Sequence, residues 1–185
     1  MAINIETKDL VLRETVLEDV ETFEKWERLP EVTEFFSIRD GQTREECFEK
    51  FFADKADPGK IQLSIFLKEG NRLIGRIVIG DIEPEWKCEL WRIYIADTAL
   101  RGKGYGKQAA LAVMKYCFED LQMQRLYLDY YTGNPAEHLY RSLGFTYEGL
   151  LRQNCRKNGI LYDVNLMSIL RDEYEAQYGN KGDRG

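Results

Sequence analysis

A chain of 185 residues with 44% hydrophobic content is long enough to form one domain that buries its own core. An aromatic content of 12% excludes disorder through the body of the chain, and the net charge of −6 argues against general nucleic-acid binding, which needs a basic surface. The apolar runs are too short to cross a bilayer, and no basic region followed by an apolar stretch opens the chain, so we expect a cytoplasmic protein with no membrane partner.

The cysteines and the single histidine restrict the available chemistry. The four cysteines stand alone in the sequence, without a C-x-x-C pair, so we expect reduced thiols and no metal site. His138 is the only histidine, which excludes Ser/His/Asp and Cys/His triads. We discount Cys155 as a nucleophile because no histidine lies near it in sequence to activate it.

The first third of the chain predicts one strand, at residues 10–13, followed by two helices. A capping-box signature, in which Ser or Thr precedes Glu by three residues, predicts the start of each helix. The two signatures are Thr15 with Glu18 and Thr43 with Glu46. Residues 26–40, between the helices, mix aromatic and acidic side chains, which suit an ammonium-bearing substrate. The same aromatic residues would equally well pack the helices onto a sheet.

The rest of the chain predicts six further strands and two more helices. The strands are expected at residues 61–67, 73–79, 89–95, 125–131, 145–153 and 160–169. Asn134 caps a short helix with Pro135 at its first position, and Asn158-Gly159 supplies a tight hairpin turn. Because hairpins precede residue 96 and helical crossovers follow it, the sheet should be mixed. We expect one domain over residues 1–185, with 171–185 as a partly disordered tail.

A glycine-rich segment joins the strand at 89–95 to the helix that follows it. Residues 101–107 (RGKGYGK) combine three glycines with three cations at a helix start, an arrangement typical of a phosphate or pyrophosphate site. The Walker loop is excluded because Lys107 is followed by glutamine. The dinucleotide fingerprint is met by Gly104, Gly106 and Ala109, with Asp129 as the later acidic residue. However, too little chain follows for a doubly wound sheet.

A third interpretation accounts for more of the sequence. The spacing Arg101-x-x-Gly104-x-Gly106, followed by Asn134-Pro135 and by Tyr140 in LYRSLGF, resembles the GNAT superfamily of N-acetyltransferases, most nearly its RimJ/RimL-like branch. The resemblance implies an α/β (α+β) fold with a mixed, mostly antiparallel sheet flanked by helices. It also implies that two neighbouring strands splay apart to hold the CoA arm. The implied activity is direct transfer of an acetyl group from acetyl-CoA to a primary amine of a small molecule or a protein N-terminus.

The resemblance also implies roles for individual residues. The residues expected to contact acetyl-CoA are Ile93, Tyr94, Ile95, Arg101, Gly102, Lys103, Gly104, Tyr105, Gly106, Lys107, Asn134 and Tyr140. Tyr140 is the expected acid beside the CoA sulfur, and Glu89 is the first candidate for the base. Strand alternation would place Glu89 on one face with Trp91, Ile93 and Ile95 if no bulge intervenes, and apolar neighbours would raise the pKa of its carboxyl. Glu27, Glu31 and Glu34 remain alternative bases.

Two other functions remain open at this point. One is a catalytically inactive module that binds acyl-CoA, and the other is a small NAD(P)- or flavin-nucleotide-binding protein that uses Gly104 and Gly106. A homodimer is also left open. The sequence does not choose the amine acceptor, because a resemblance at the level of the fold does not determine substrate.

Overall fold

The computed structural model describes residues 3–179, which form one eight-stranded sheet with helices on both faces. The strands are β1 (Asn4–Glu6), β2 (Leu10–Glu14), β3 (Ile61–Leu67), β4 (Arg72–Glu83), β5 (Lys87–Ile95), β6 (Arg125–Tyr131), β7 (Thr146–Lys157) and β8 (Ile160–Leu170). The helices are α1 (Leu17–Trp26), α2 (Pro30–Thr33), α3 (Arg44–Ala56), α4 (Tyr105–Lys115), α5 (Glu137–Ser142) and α6 (Arg171–Tyr178). No helix within these residues is long and apolar enough to cross a membrane.

The strands lie in the order β1-β2-β3-β4-β5-β6-β8-β7. Only β5 and β6 pair in parallel, and every other neighbouring pair is antiparallel. The mixed, mostly antiparallel sheet flanked by helices is therefore as predicted.

The local signals of the sequence explain where most elements begin. Thr43 caps α3 reciprocally with Glu46, because Glu46 N donates to Thr43 Oγ1 at 3.2 Å and Thr43 N donates to Glu46 Oε2 at 2.7 Å. The capping box predicted for α1 is wrong in its residues. Val16 N donates to Asp19 Oδ2 at 3.1 Å, and Thr15 instead accepts a hydrogen bond from Ser64.

The end of the described chain differs from the prediction. Residues 171–178, expected to belong to the tail, form α6 because Tyr174 is buried and stacks on Phe118 with ring centroids 4.6 Å apart. Tyr174 also donates from its hydroxyl to Glu119 at 3.0 Å. Residues 180–185 of the predicted tail lie outside the described residues.

The two faces of the sheet carry different helices. On one face, Leu63 and Ile77 join a large apolar cluster with Val113 of α4. On the other face, Ser64 donates to Asp19 of α1 at 2.7 Å and Gln62 donates to the carbonyl of Phe51 in α3. These two sides of the sheet are the α4 face and the α1/α3 face.

The parallel pair β5–β6 opens into a gap. Hydrogen-bonded register joins these strands only at Lys87–Glu89 with Arg125–Tyr127. Beyond these positions β5 continues to Ile95 and β6 to Tyr131 without pairing to each other. This is the splayed strand pair that the resemblance implied.

A β-bulge in the central strand changes which side chains share a face. Val78 of β4 pairs with Arg92 and Ile79 pairs with Leu90, so Trp91 has no partner in the register. Trp91 lies on the α1/α3 face, under the Lys50 ammonium of α3, whereas Ile93 and Ile95 pack against the cluster on the α4 face. The simple alternation predicted for Glu89, Trp91, Ile93 and Ile95 is therefore broken at Trp91.

Candidate active site

A cleft of about 660 Å³ passes through the gap between β5 and β6. The bulge and the splayed strands bring residues from both sheet faces to its walls. Its lining on the α4 face includes Ile93, Ile95, Gly102, Gly104, Gly106, Asn134 and Tyr140. Its lining towards the α1/α3 face includes Glu31, Glu34, Lys50, Trp91, Arg92, Asp129 and Cys155. The cleft therefore gives access to the middle of β5 from two sides.

The glycine-rich loop forms one end of the cleft. Gly102 and Gly104 have φ values of +74° and +84°, in the left-handed region, and Gly104 is the residue that precedes α4. A Cβ added at Gly106 would meet no atom within 4 Å, so the space above this backbone is open to a ligand. Lys103 and Lys107 are exposed and belong to the loop, but they do not line the cleft.

Backbone donors of β5 face the gap. Ala96 N donates to Ile74 O of the neighbouring chain segment at 2.9 Å. Because backbone groups alternate sides along an antiparallel ladder, the N–H groups of Ile93 and Ile95 point away from β4 and into the gap, while that of Tyr94 points towards β4. Two of the three predicted β5 residues thus present backbone donors to a ligand in the gap, and Tyr94 contributes its side chain to the wall.

Tyr140 lies in this wall between other aromatic rings. Its ring centroid is 5.9 Å from that of Tyr130 and 6.1 Å from that of Phe145. Burial, with smaller effects of Asp129 and Tyr130, raises the pKa of Tyr140 to about 12, so its hydroxyl is protonated at neutral pH. The hydroxyl has no hydrogen-bond partner among residues 3–179 and is free to donate. Asn134, which also lines the cleft, accepts from Ala136 N at 2.9 Å in a turn that precedes α5. Because α5 begins at Glu137 after Ala136, the predicted cap at Asn134 with Pro135 as the first helical residue is wrong in its position.

Glu89 lies near the start of the gap, close to other carboxylates. It is half-buried, and burial, followed by the charges of Asp129 and Asp81, raises its pKa to about 7. Burial also raises the pKa of Asp129, which lines the cleft. Glu89 itself does not line the cleft, so any proton transfer from the cleft to this carboxyl needs a bridging group such as water.

The three alternative bases, Glu27, Glu31 and Glu34, lie in different environments. Glu27 is buried and accepts from Arg76 Nη1 at 2.7 Å, Arg92 Nη1 at 3.1 Å and the Tyr94 hydroxyl at 3.0 Å. Burial alone would raise the pKa of Glu27, but the two guanidinium groups outweigh it and the pKa is lowered. Glu27 therefore stays ionised and engaged. Glu31 of α2 and Glu34, the residue that follows this helix, are exposed and line the cleft.

Three lining residues were not identified as acceptor-side candidates in the sequence. Asp129 was noted only for the dinucleotide fingerprint, and Arg92 and Lys50 were not singled out. A signal for Arg92 was present, because it is a charged residue within the otherwise apolar strand core LWRIYI. No group of three or more His, Cys, Asp or Glu side chains in residues 3–179 is arranged to hold a metal ion.

Comparisons with known proteins agree with this geometry. Residues 9–146 match the model of the acetyltransferase (GNAT) domain. The uncharacterized N-acetyltransferase p20 of Bacillus licheniformis is 30% identical over 91% of this chain and 96% of its own length. Spermidine N(1)-acetyltransferase of Vibrio cholerae is 30% identical over 70% of this chain and 73% of its own.

The solved structures give the same result for the fold. The crystal structure of spermidine N-acetyltransferase from Vibrio cholerae in complex with CoA and spermine superposes with a TM-score of 0.81 at 24% identity, covering 91% of this chain and 99% of the other. The chain belongs to the GNAT acetyltransferase family. It is an acetyl-CoA-dependent N-acetyltransferase that acts on amines. The RimJ/RimL-like branch is not confirmed, and several of the named relatives are spermidine acetyltransferases.

Proposed function

We propose that this enzyme moves the acetyl group directly from the thioester of acetyl-CoA to the primary amine of a small molecule, with Tyr140 as acid and Glu89 as base. The observation that supports the proposal is the open β5–β6 gap, because Ile93 and Ile95 of β5, the glycine loop and Tyr140 all line one cleft there. In this assignment the loop 101–107 receives the pyrophosphate, and Arg101, Lys103 and Lys107 add positive charge.

The amine must lose a proton before or during attack, because a free alkylamine has a pKa near 10.4. Glu89 fits this task because its pKa of about 7 leaves a large ionised fraction at neutral pH while making it a stronger base than an exposed carboxylate. The proton passes to Glu89 through water, because the carboxyl of Glu89 does not line the cleft. Asp129, which does line the wall, holds the ammonium form of the acceptor nearby.

The carbonyl and the sulfur require donors. As the amine nitrogen bonds to the carbonyl carbon, the developing oxyanion accepts from an N–H group of Ile93 or Ile95. The carbon–sulfur bond then breaks, and the departing thiolate takes the proton of the Tyr140 hydroxyl, which burial keeps protonated. No covalent enzyme intermediate is needed, and Cys155 has its pKa raised by burial, which disfavours a nucleophilic thiolate.

The named relatives make polyamines the first acceptors to assay, and the carboxylates at the cleft are compatible with an ammonium group. A protein N-terminus, the acceptor implied by a RimJ/RimL-like resemblance, is the second candidate. We further propose that residues 1–185 form a single N-acetyltransferase domain, since one sheet takes up the described chain. A cytoplasmic location is compatible with its four free cysteines.

The test is an amine panel with mass detection of acetylated products and thiol release as a second readout. The panel contains polyamines, simple alkylamines, amino acids and short peptides with free amino termini. The proposal predicts product from at least one class and a strong loss in Tyr140→Phe. Binding of acetyl-CoA without product from any amine would contradict it and favour the inactive acyl-CoA-binding module.

A further inference from the structure

The acceptor side of the cleft holds a buried excess of positive charge. Glu27, Arg76 and Arg92 are all buried, and one carboxylate oxygen of Glu27 accepts from both guanidinium groups and from Tyr94. The neutral side chain of Gln62 accepts a hydrogen bond from the other terminal nitrogen of Arg76, Nη2. One negative and two positive charges leave this cluster with one uncompensated positive charge. A buried charge without a counterion is costly, so such a cluster is suited to binding an anion.

Arg92 is the member of the cluster that lines the cleft. Its side chain is 8% exposed, and only Nη1 has a hydrogen-bond partner among residues 3–179. Its Nε and Nη2 are therefore unpaired, and these two groups lie on the same edge of the planar guanidinium. That edge presents two parallel donors, which match the two oxygens of a carboxylate.

Lys50 of α3 brings a second cation to the same wall. Its ammonium lies 4.6 Å from the ring centroid of Trp91, and the Lys60 ammonium lies 5.0 Å from the same ring. Asp54 is shared by both lysines, with Nζ–O distances of 3.4 and 2.7 Å. Burial, together with the positive charges of Lys60 and Arg92, lowers the pKa of Lys50 against the opposing effect of Asp54. Because Lys60 also pairs with Asp57 at 3.7 Å, two lysines face two carboxylates here, and Lys50 adds a partly exposed cation to the cleft wall.

Negatively and positively charged side chains therefore lie in different parts of the cleft. The charges of Asp129 and Asp81 disfavour ionisation of Glu89 near the start of the β5–β6 gap, whereas the charge of Arg92 disfavours the ammonium form of Lys50 at the α3 wall. An acceptor with a single positive charge would pair with a cleft carboxylate, Glu31 and Glu34 included, but would leave the free edge of Arg92 without a partner. A polyamine would add positive charge beside Arg92 and Lys50.

We propose that the acceptor carries a carboxylate as well as the primary amine, and that the free edge of Arg92, assisted by Lys50, binds that carboxylate. This inference rests on the proposed function, because it names the acceptor class of the same site. It separates the substrate of this enzyme from the polyamines that give several of its relatives their names. Arg92 in this role binds and orients the acceptor, while Arg76 and Tyr94 position Glu27 behind it.

The test compares acceptors that differ only at one end. γ-Aminobutyrate, butylamine and putrescine share an amine on three methylene groups and end in a carboxylate, a methyl group or a protonated aminomethyl group. The same comparison is repeated with chains longer by one or two methylene groups. For the wild type we expect kcat/KM for the best amino carboxylate to exceed that of its matched alkylamine by about 10- to 100-fold, the usual contribution of a hydrogen-bonded charge.

The variant Arg92→Met keeps an unbranched apolar side chain of about the length of the arginine stem and removes the guanidinium charge. It should bring that ratio close to one by lowering kcat/KM for the amino carboxylate, with the alkylamine little affected. Arg72→Met, an exposed arginine of β4 that pairs with Asp97, is the matched control and should preserve the ratio. A ratio that is unchanged in Arg92→Met, or a wild type that prefers putrescine to every amino carboxylate, would overturn the inference while leaving the acetyltransferase intact.

Two further experiments cover the cases in which no amine is acetylated or Arg92→Met does not fold. If no amine is acetylated, the proposed function fails, and calorimetric titration with the amino carboxylates tests the subsite separately. Binding by the wild type that Arg92→Met abolishes supports the subsite, and absent or equal binding refutes it. If Arg92→Met does not fold, Lys50→Met replaces it, with an expected fall in the ratio of about 3- to 10-fold. An unchanged ratio in that variant contradicts the inference.

Discussion

The pKa of Glu89 offers a quantitative test of its assignment as the base. Three effects raise this pKa to about 7, of which burial is the largest and the charge of Asp129 is the second. The change we consider is Asp129→Asn, which removes that charge and preserves the shape of the side chain. Because a like charge nearby disfavours ionisation, its removal must lower the pKa of Glu89.

The size of the effect follows from the ionised fraction of Glu89. With a pKa of about 7, roughly a tenth of the carboxyl is ionised at pH 6 and roughly nine tenths at pH 8. If the substitution lowers the pKa by about one unit, the low end of the range for a neighbouring charge, the fraction at pH 6 becomes about one half. The ratio of kcat/KM at pH 6 to its plateau should therefore rise about fivefold.

The assay is kcat/KM measured from pH 5 to 10 at constant ionic strength, for the wild type, Asp129→Asn and Glu89→Gln. Normalising to the plateau removes any loss of acceptor affinity caused by Asp129→Asn, since Asp129 lines the cleft. Glu89→Gln should lose the acidic limb altogether and most of its activity. An acidic limb at the same pH in Asp129→Asn, or one that persists in Glu89→Gln, would refute the assignment of the base.

The remaining predictions concern the acid, the loop and the buried cluster. Tyr140→Phe should lower kcat about 100-fold with acetyl-CoA affinity unchanged by calorimetry, whereas an unchanged kcat would reduce Tyr140 to a packing role. Gly104→Ala should cost about 1–2 kcal/mol in urea unfolding because alanine is strained at a φ of +84°, and a loss below the error of the measurement would argue against that backbone conformation. Glu27→Gln should cost about 3–5 kcal/mol because it leaves two buried guanidinium groups without a counterion, and a neutral effect in the same assay would contradict the charge balance described above.

The sequence was sufficient for the features that are set by local signals. The Thr43 capping box, the Asn158-Gly159 turn and the glycine loop after β5 depend on neighbouring residues, and all three are found in the structure. Position 158 and position 159 both have positive φ, as a two-residue hairpin turn of this kind requires. The splayed strand pair came from the family resemblance, and the short pairing of β5 with β6 agrees with it.

The features that were missed depend on contacts between distant segments. The bulge at Trp91 arises from the register of β4 against β5, and no local pattern in residues 89–95 reveals it. It is this bulge that keeps Arg92 on the α1/α3 face together with Trp91. Arg92 then meets Glu27, which lies 65 residues away in sequence, so its role in the cleft could not be deduced from its neighbours. The helix at 171–178 likewise depends on the distant Phe118 ring.

The measurement that tests the central claim most directly is a calorimetric titration with acetyl-CoA, with NADH titrated in parallel. It should be made on the wild type and on Gly106→Val, in which the added side chain enters space that is open above the loop. We predict that the wild type binds acetyl-CoA and not NADH, and that Gly106→Val keeps its unfolding midpoint but loses most of the acetyl-CoA affinity. Binding of NADH alone, or acetyl-CoA binding that is equal in a folded Gly106→Val, would contradict a CoA site in the β5–β6 gap beside this loop.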